Sequence, residues 1–190
     1  MRKLQIGFAL TGSFCTFRRV LPVMEALKND GHEILPIMSF HAATLDTRFG
    51  KAEDFRREIR RITGREIIDT LQAAEPIGPQ KLLDVLLVEP CTGNTLAKLA
   101  AGIADTPVTL AAKSHLRNGR PVVIAISSND ALAGAAKNIA ALQNFRHLYF
   151  VPYAQDDPEE KPNSVVARFD MTKAAVEAAA EGRQIQPVLV

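Results

Sequence analysis

The sequence predicts an α/β fold: a parallel sheet with helices packed on both of its faces. Two observations carry this. Short, near-continuous apolar runs recur along the chain, as in strands buried on both sides, and stretches with helical spacing of apolar residues alternate with them. The length of 190 residues is enough to bury such a core, and residues 1–190 are expected to form a single domain.

The elements follow in order. "KLQIGFAL" (residues 3–10) is the first strand, and "RRVLPVMEALKNDG" (residues 18–31) is a helix that Gly31 stops. "EILPIMS" (residues 33–39) is the second strand. "KAEDFRREIRRITG" (residues 51–64) is an amphipathic helix ended by glycine. "LLDVLLVEP" (residues 82–90) is the third strand, and "TLAKLAAGIAD" (residues 95–105) places small apolar residues at helical spacing. A further helix is expected after Pro107. "RPVVIAIS" (residues 120–127) and "RHLYFVP" (residues 146–152) are the fourth and fifth strands, with a helix through "ALAGAAKNIAALQN" (residues 131–144) between them. "MTKAAVEAAAEG" (residues 171–182) is the last helix. The acidic, proline-rich "AQDDPEEKPN" (residues 154–163) reads as a mobile surface segment.

Composition excludes several classes of function. A net charge of +2, with basic residues that lack interleaved aromatics, argues against nucleic-acid binding. The densest basic cluster, "RREIRR" (residues 56–61), reads as a solvated helix face. No apolar stretch reaches the roughly 18 residues that span a bilayer, and the amino-terminal apolar run soon meets Thr11, Gly12 and Ser13. Cys15 and Cys91 form neither a disulfide framework nor a zinc spacing, and the four histidines are scattered, so no metal site is expected. The cytoplasm is the expected compartment.

In a parallel α/β sheet, ligands bind beyond the carboxyl ends of the strands. At the first such exit, Gly12 and Ser13 stand at the mouth of a helix, whose free N–H groups suit an anion; the alternative is an ordinary turn with a serine cap. Gly7 and Gly12 have the separation of the glycines in a Walker loop, but Ser-Phe follows in place of Lys-Ser/Thr. A dinucleotide fingerprint is also missing, and the second strand exits at Ser39, a hydroxyl where an NAD site usually has an acid. Ser13 and Ser39 together suit a terminal phosphate monoester. At the third exit, Thr92, Gly93, Asn94 and Thr95 make either a polar helix cap or a site that reads a heterocycle edge or ribityl hydroxyls.

The stretch "PCTGNTLAKLAAGIAD" resembles the PxxANTxxKxAxGIAD signature of the homo-oligomeric flavin-containing Cys decarboxylase-like flavoproteins. Asn94, Thr95, Lys98, Gly102, Ile103, Ala104 and Asp105 match it, and Gly93 replaces alanine. "TGS" and Ser39 are similar to that family's FMN phosphate contacts. The resemblance implies a three-layer α/β/α sandwich with a flavodoxin-like (Rossmann-like) parallel sheet, FMN as cofactor, and trimers or dodecamers with the flavin at a subunit interface. By the same resemblance, Gly12, Ser13, Phe14 and Ser39 hold the FMN phosphate. Thr92, Gly93, Asn94 and Thr95 contact the ribityl chain and ring, and Asn129 touches the ring or a substrate carboxylate.

The chain also departs from the decarboxylases. Their histidine, some eight residues before the aspartate of the third strand, is Pro76 here. Their PxMNxxM clamp is reduced to "ISSNDAL" (residues 126–132), in which only Asn129 survives, and no cysteine follows Cys91. From end to end the sequence is similar instead to the family's branch of dipicolinate synthase B-subunits. That resemblance implies a partner, the A-subunit of dipicolinate synthase, carrying the NAD(P) fold. It also implies oxidation of a dihydrodipicolinate-pathway intermediate to the dicarboxylate dipicolinate in the mother cell of a sporulating bacterium. A non-catalytic partner of the A-subunit, or else an FMN-dependent decarboxylase, are the other roles the resemblance allows. Catalytic residues are not assigned. Cys15 and Cys91 are expected to pack in the core, Glu89 to orient its turn by accepting backbone N–H bonds, and Lys98 to be a structural or interfacial cation. His41 is the histidine best placed for acid–base work. Arg18, Arg19, Arg117 and Arg168 are candidates for a dicarboxylate.

Overall fold

The computed structural model describes residues 2–190. Five strands run parallel: β1 (Gln5–Leu10), β2 (Glu33–Met38), β3 (Val85–Cys91), β4 (Val122–Ser128) and β5 (Leu148–Phe150). They lie in the order β2-β1-β3-β4-β5, which brings the exits of β1, β2, β3 and β4 to one edge. A doubly wound sheet of this order places its ligand crevice at that edge.

Strand side chains alternate between two cores, as period 2 requires. Ile6, Phe8 and Leu10 of β1 face one core, built with helices α1 (Phe17–Asn29), α3 (Ala52–Thr63) and α8 (Thr172–Ala180). Ala9 of β1 and Leu86 and Val88 of β3 face the other, built with α5 (Gly93–Ala100), α6 (Pro107–Arg117) and α7 (Ala136–Gln143). These are the three layers expected. Gly7 belongs to this packing and not to a nucleotide loop. A Cβ there would come within 2.4 Å of a Leu83 methyl, so the bare backbone lets Leu83 seat against β1.

Several features depart from the sequence reading. Two short helices were not expected: α2 (Phe40–Thr44), capped by Ser39, and α4 (Leu71–Ala74), capped by Thr70. The helix expected to start at residue 131 begins at Ala136. The backbone carbonyl of Asp130 accepts N–H bonds from Ala133 and Ala135, which holds the preceding residues in turns. The helix expected over residues 95–105 spans Gly93–Ala100 and ends before Gly102, whose φ is +71°.

The sheet is also not wholly parallel. β6 (Tyr153–Ala154) and β7 (Val165–Ala167) form an antiparallel pair. β7 pairs in turn with Ser127 and Ser128 of β4. The first half of β4 thus pairs with β5 and its last two residues with β7.

Candidate functional site

Two adjoining cavities open at the carboxyl edge of the sheet. The first, about 400 Å³, is lined by Ser39, His41, Asn94, Thr95, Lys98 and Asp105 among others. The second, about 470 Å³, is lined by Ser13, Arg19, Gly93, Ser127, Asn129 and Lys161 among others. Gly12, Phe14 and Thr92 line both. All nine residues singled out as cofactor contacts therefore gather at this edge. Ser13 and Ser39 do not share a cavity: Ser39 borders the first and Ser13 the second.

The wall between the cavities is a threonine-linked turn. The Thr11 hydroxyl donates to the Pro90 carbonyl at 2.7 Å and accepts the Thr92 N–H at 3.0 Å, tying the exit of β1 to that of β3. Thr92 then caps α5: its hydroxyl accepts the Thr95 N–H at 3.3 Å and lies 3.1 Å from the Thr95 hydroxyl. Ser39 caps α2 by accepting the Ala42 N–H at 3.4 Å. The cap readings and the ligand readings are thus compatible, because each capping hydroxyl also borders a cavity. Among the described residues the Gly12 N–H meets no protein acceptor, which leaves a donor for an anion.

Lys98 donates to both carboxylate oxygens of Asp105, at 2.8 and 2.9 Å. These hydrogen bonds hold the Asp105 carboxyl below its ordinary range. The pair joins the middle of the signature to its last residue, in keeping with a structural role for Lys98. His41 is exposed at the rim of the same cavity.

Gly93 replaces the signature alanine for a local reason. A Cβ at position 93 would lie 2.8 Å from the Ser128 hydroxyl and 2.9 Å from Oδ1 of Asp130, and those two groups are hydrogen-bonded at 2.8 Å. Ser128 stands where the decarboxylase clamp has its first methionine. The two departures from the family pattern therefore meet in space. Asn129, the survivor of that clamp, borders the second cavity, and its side-chain carbonyl accepts the Ser164 hydroxyl at 3.3 Å.

Two other expectations change. Cys15 is exposed, not packed in the core; Cys91 is buried, and burial pushes its thiol up in pKa. Glu89 is fully buried, but it accepts the Thr172 hydroxyl at 2.7 Å instead of backbone N–H groups, and its Oε1 has no partner. The "AQDDPEEKPN" segment lies at the surface as expected, but it also contributes to the edge of the second cavity. The Leu132 N–H donates to the Asn163 carbonyl, Gln155 Nε2 donates to the Pro162 carbonyl, and Asp156 and Lys161 border the second cavity.

Of the four arginines proposed for a dicarboxylate, Arg19 borders the second cavity and Arg18 a smaller neighbouring recess. Arg168 pairs with Asp170 instead, and Arg117 ends α6, outside both cavities. Ser127, Ser128 and Lys161 line the second cavity beyond the contacts read from the sequence, and the buried Thr11 holds the turn behind it. Thr11 had a legible signal, a hydroxyl ending a buried strand. Lys161 had none, because its place depends on β7 pairing.

Comparison with known proteins finds relatives that share this fold. A family model described as Flavoprotein matches residues 1–181. Over 186 residues the chain is 44% identical to the dipicolinate synthase B-subunit of Bacillus subtilis (strain 168), covering 98% of this chain and 93% of that protein. The crystal structure of the dipicolinate synthase B-subunit from Bacillus halodurans C matches with a TM-score of 0.90 and 44% identity, covering 98% of this chain and 96% of that one. The FMN-dependent cysteine decarboxylase SpaF shares the fold, with a TM-score of 0.70 at 24% identity over 94% of this chain and 97% of that one.

Proposed function

The chain belongs to the Flavoprotein family, and from that premise we propose that it is the FMN-binding B-subunit of a dipicolinate synthase. In this reading it works beside a separate A-subunit that carries the NAD(P) fold, and together they oxidise a dihydrodipicolinate-pathway intermediate to dipicolinate. The observation that carries the flavin part is the set of donors around the two adjoining cavities. The Gly12 N–H and the hydroxyls of Ser13, Ser39, Thr92 and Thr95 converge there, and the exit of β2 offers a hydroxyl instead of the acid an NAD ribose takes.

The donors fit a flavin mononucleotide. Each cavity falls within the range of small-ligand pockets, roughly 300–1,000 Å³. Gly12 and Phe14, which line both cavities, would hold the phosphate end, with Ser39 offered from the first cavity and Ser13 from the second, and Thr92, Gly93, Asn94 and Thr95 would hold the ribityl chain and ring. Asn129 would meet the ring or a substrate carboxylate. FMN, when bound, supplies a hydride acceptor. The chain's own residues position: Thr11 and Thr92 fix the turn, and Ser39 and Thr92 present hydroxyls from helix caps. A decarboxylase role has less support, since Pro76 borders neither cavity and Ser128 replaces a clamp methionine. The oligomer proposed is a trimer or a trimer-based dodecamer.

The test is spectroscopic, then enzymatic. Purified chain should carry a visible flavin absorbance band, or gain one in 1:1 ratio when FMN is added. Colourless protein that takes up no FMN rejects the cofactor. Dipicolinate formation is then measured with only the A-subunit, with only this chain, and with both. Full activity from the lone A-subunit, unchanged by this chain, rejects the catalytic share and leaves a scaffold.

A further inference from the structure

We propose that Arg19 and Lys161 are specificity-determining residues, which bind the carboxylates of a small aromatic dicarboxylate in the second cavity. The inference rests on the reading that this chain acts on such a substrate, and it adds which side chains select for two negative charges.

Arg19 is held but not neutralised. Its guanidinium stacks over the Phe169 ring, 5.0 Å from the centroid, and among the described residues it forms no ion pair with a carboxylate. It lies in the first turn of α1, at the positive end of a helix with no acidic residue in that turn. A cation there is disfavoured by the helix dipole unless an anion joins it. Arg18 stands beside it in the same turn and borders the adjoining recess.

Lys161 reaches the cavity from a different part of the chain, the segment between β6 and β7. That segment is fixed around Lys161: the Ser164 N–H donates to the Lys161 carbonyl at 2.9 Å, and the Ser164 hydroxyl donates to Asn129 at 3.3 Å. The ammonium is 3.9 Å from Asp156, a long ion pair in an exposed setting that an incoming carboxylate can displace. Phe49 lines the same cavity, with the Arg48 guanidinium 4.9 Å from its ring centroid as a further cation nearby, and Ser127 and Asn129 offer polar groups. Two cations on separate elements discriminate by charge number: a dianion engages both and a monoanion one.

The test is calorimetric titration of the full chain, alone and with the A-subunit, using pyridine-2,6-dicarboxylate and pyridine-2-carboxylate as probes. FMN affinity is measured in parallel. Arg19→Gln and Lys161→Gln are each expected to weaken the dicarboxylate by about tenfold and to narrow its advantage over the monocarboxylate. FMN affinity should stay at the parent value. Arg19→Lys, which keeps the charge, should recover most of the loss, and unfolding curves of each variant report whether Phe169 packing has suffered. Unchanged dicarboxylate affinity in both glutamine variants overturns the inference. So does an equal loss for the two probes, or a loss of FMN affinity of the same size, which would give the pair to the flavin phosphate. Parent protein that takes up FMN but binds no dicarboxylate, whether or not the A-subunit is present, overturns this inference alone. Parent protein that binds the dicarboxylate and no FMN overturns the flavin reading alone.

Discussion

The hydroxyls of Ser13 and Ser127 lie 2.7 Å apart and join the exits of β1 and β4, two strands separated in the sheet by β3. Ser127 is buried, so a partner lost there is not replaced freely by water. Ser13→Ala and Ser127→Ala should each destabilise by about 1 kcal/mol, and the double variant should cost less than their sum. Chemical denaturation of the three variants measures the coupling, and strict additivity would show that the two hydroxyls do not interact.

Gly93→Ala restores the family's alanine but should not be harmless. The new Cβ intrudes on Ser128 and Asp130 and breaks their hydrogen bond, at a cost of about 1 kcal/mol. Combining it with Ser128→Ala should recover part of that loss. The comparison is the urea midpoint of single and double variants; a single variant as stable as the parent would show that the two side chains turn aside without penalty.

Asn94 is exposed, and its side chain makes no hydrogen bond within the protein among the described residues. Asn94→Ala should therefore leave the unfolding midpoint unchanged while weakening FMN by about tenfold, the loss of one hydrogen bond or slightly more. Fluorescence titration with FMN reads this directly. Parent-level affinity in the variant would remove Asn94 from the flavin contacts.

Glu89 sets a pH dependence. Burial, only partly offset by the Thr172 hydrogen bond, pushes its carboxyl from 4.5 up to about 8. Between those values the folded chain keeps a proton that the unfolded chain has released. Glu89 therefore leaves stability intact below pH 4.5 and erodes it as the pH rises toward 8, by at most about 1.4 kcal/mol per unit. Glu89→Gln keeps an acceptor for Thr172 and removes the titration. It should match the parent near pH 4.5 and exceed it at pH 8 in urea unfolding; the same difference at both pH values would show that Glu89 does not titrate in this window.

The parallel core was legible because burial on both faces writes itself locally: "VLLVEPC" has no exposed residue, and its apolar run is a strand signal without context. The signature turn was legible for a similar reason, since Thr92 caps α5 within four residues of chain. β6 and β7 were not. They are two and three residues long, and Val165–Ala167 becomes a strand only because Ser127 and Ser128 present an unpaired edge across some 40 residues of sequence. Lys161 was hidden with them. The place of Cys15 failed for the opposite reason: a cysteine in an apolar run reads as core, but the short 3-10 turn over Phe14–Thr16 rotates it outward.

The divided loyalty of β4 bears on how the protein is made. A ribosome delivers the five parallel strands by residue 150, yet Ser127 and Ser128 wait for β7 and the second cavity waits for Lys161. At about 5–20 residues per second, that interval lasts seconds. The lining of the first cavity, which ends at Thr106, is thus synthesised well before that of the second, whose wall is completed only by Asp156, Lys161 and Val166 near the end of the chain.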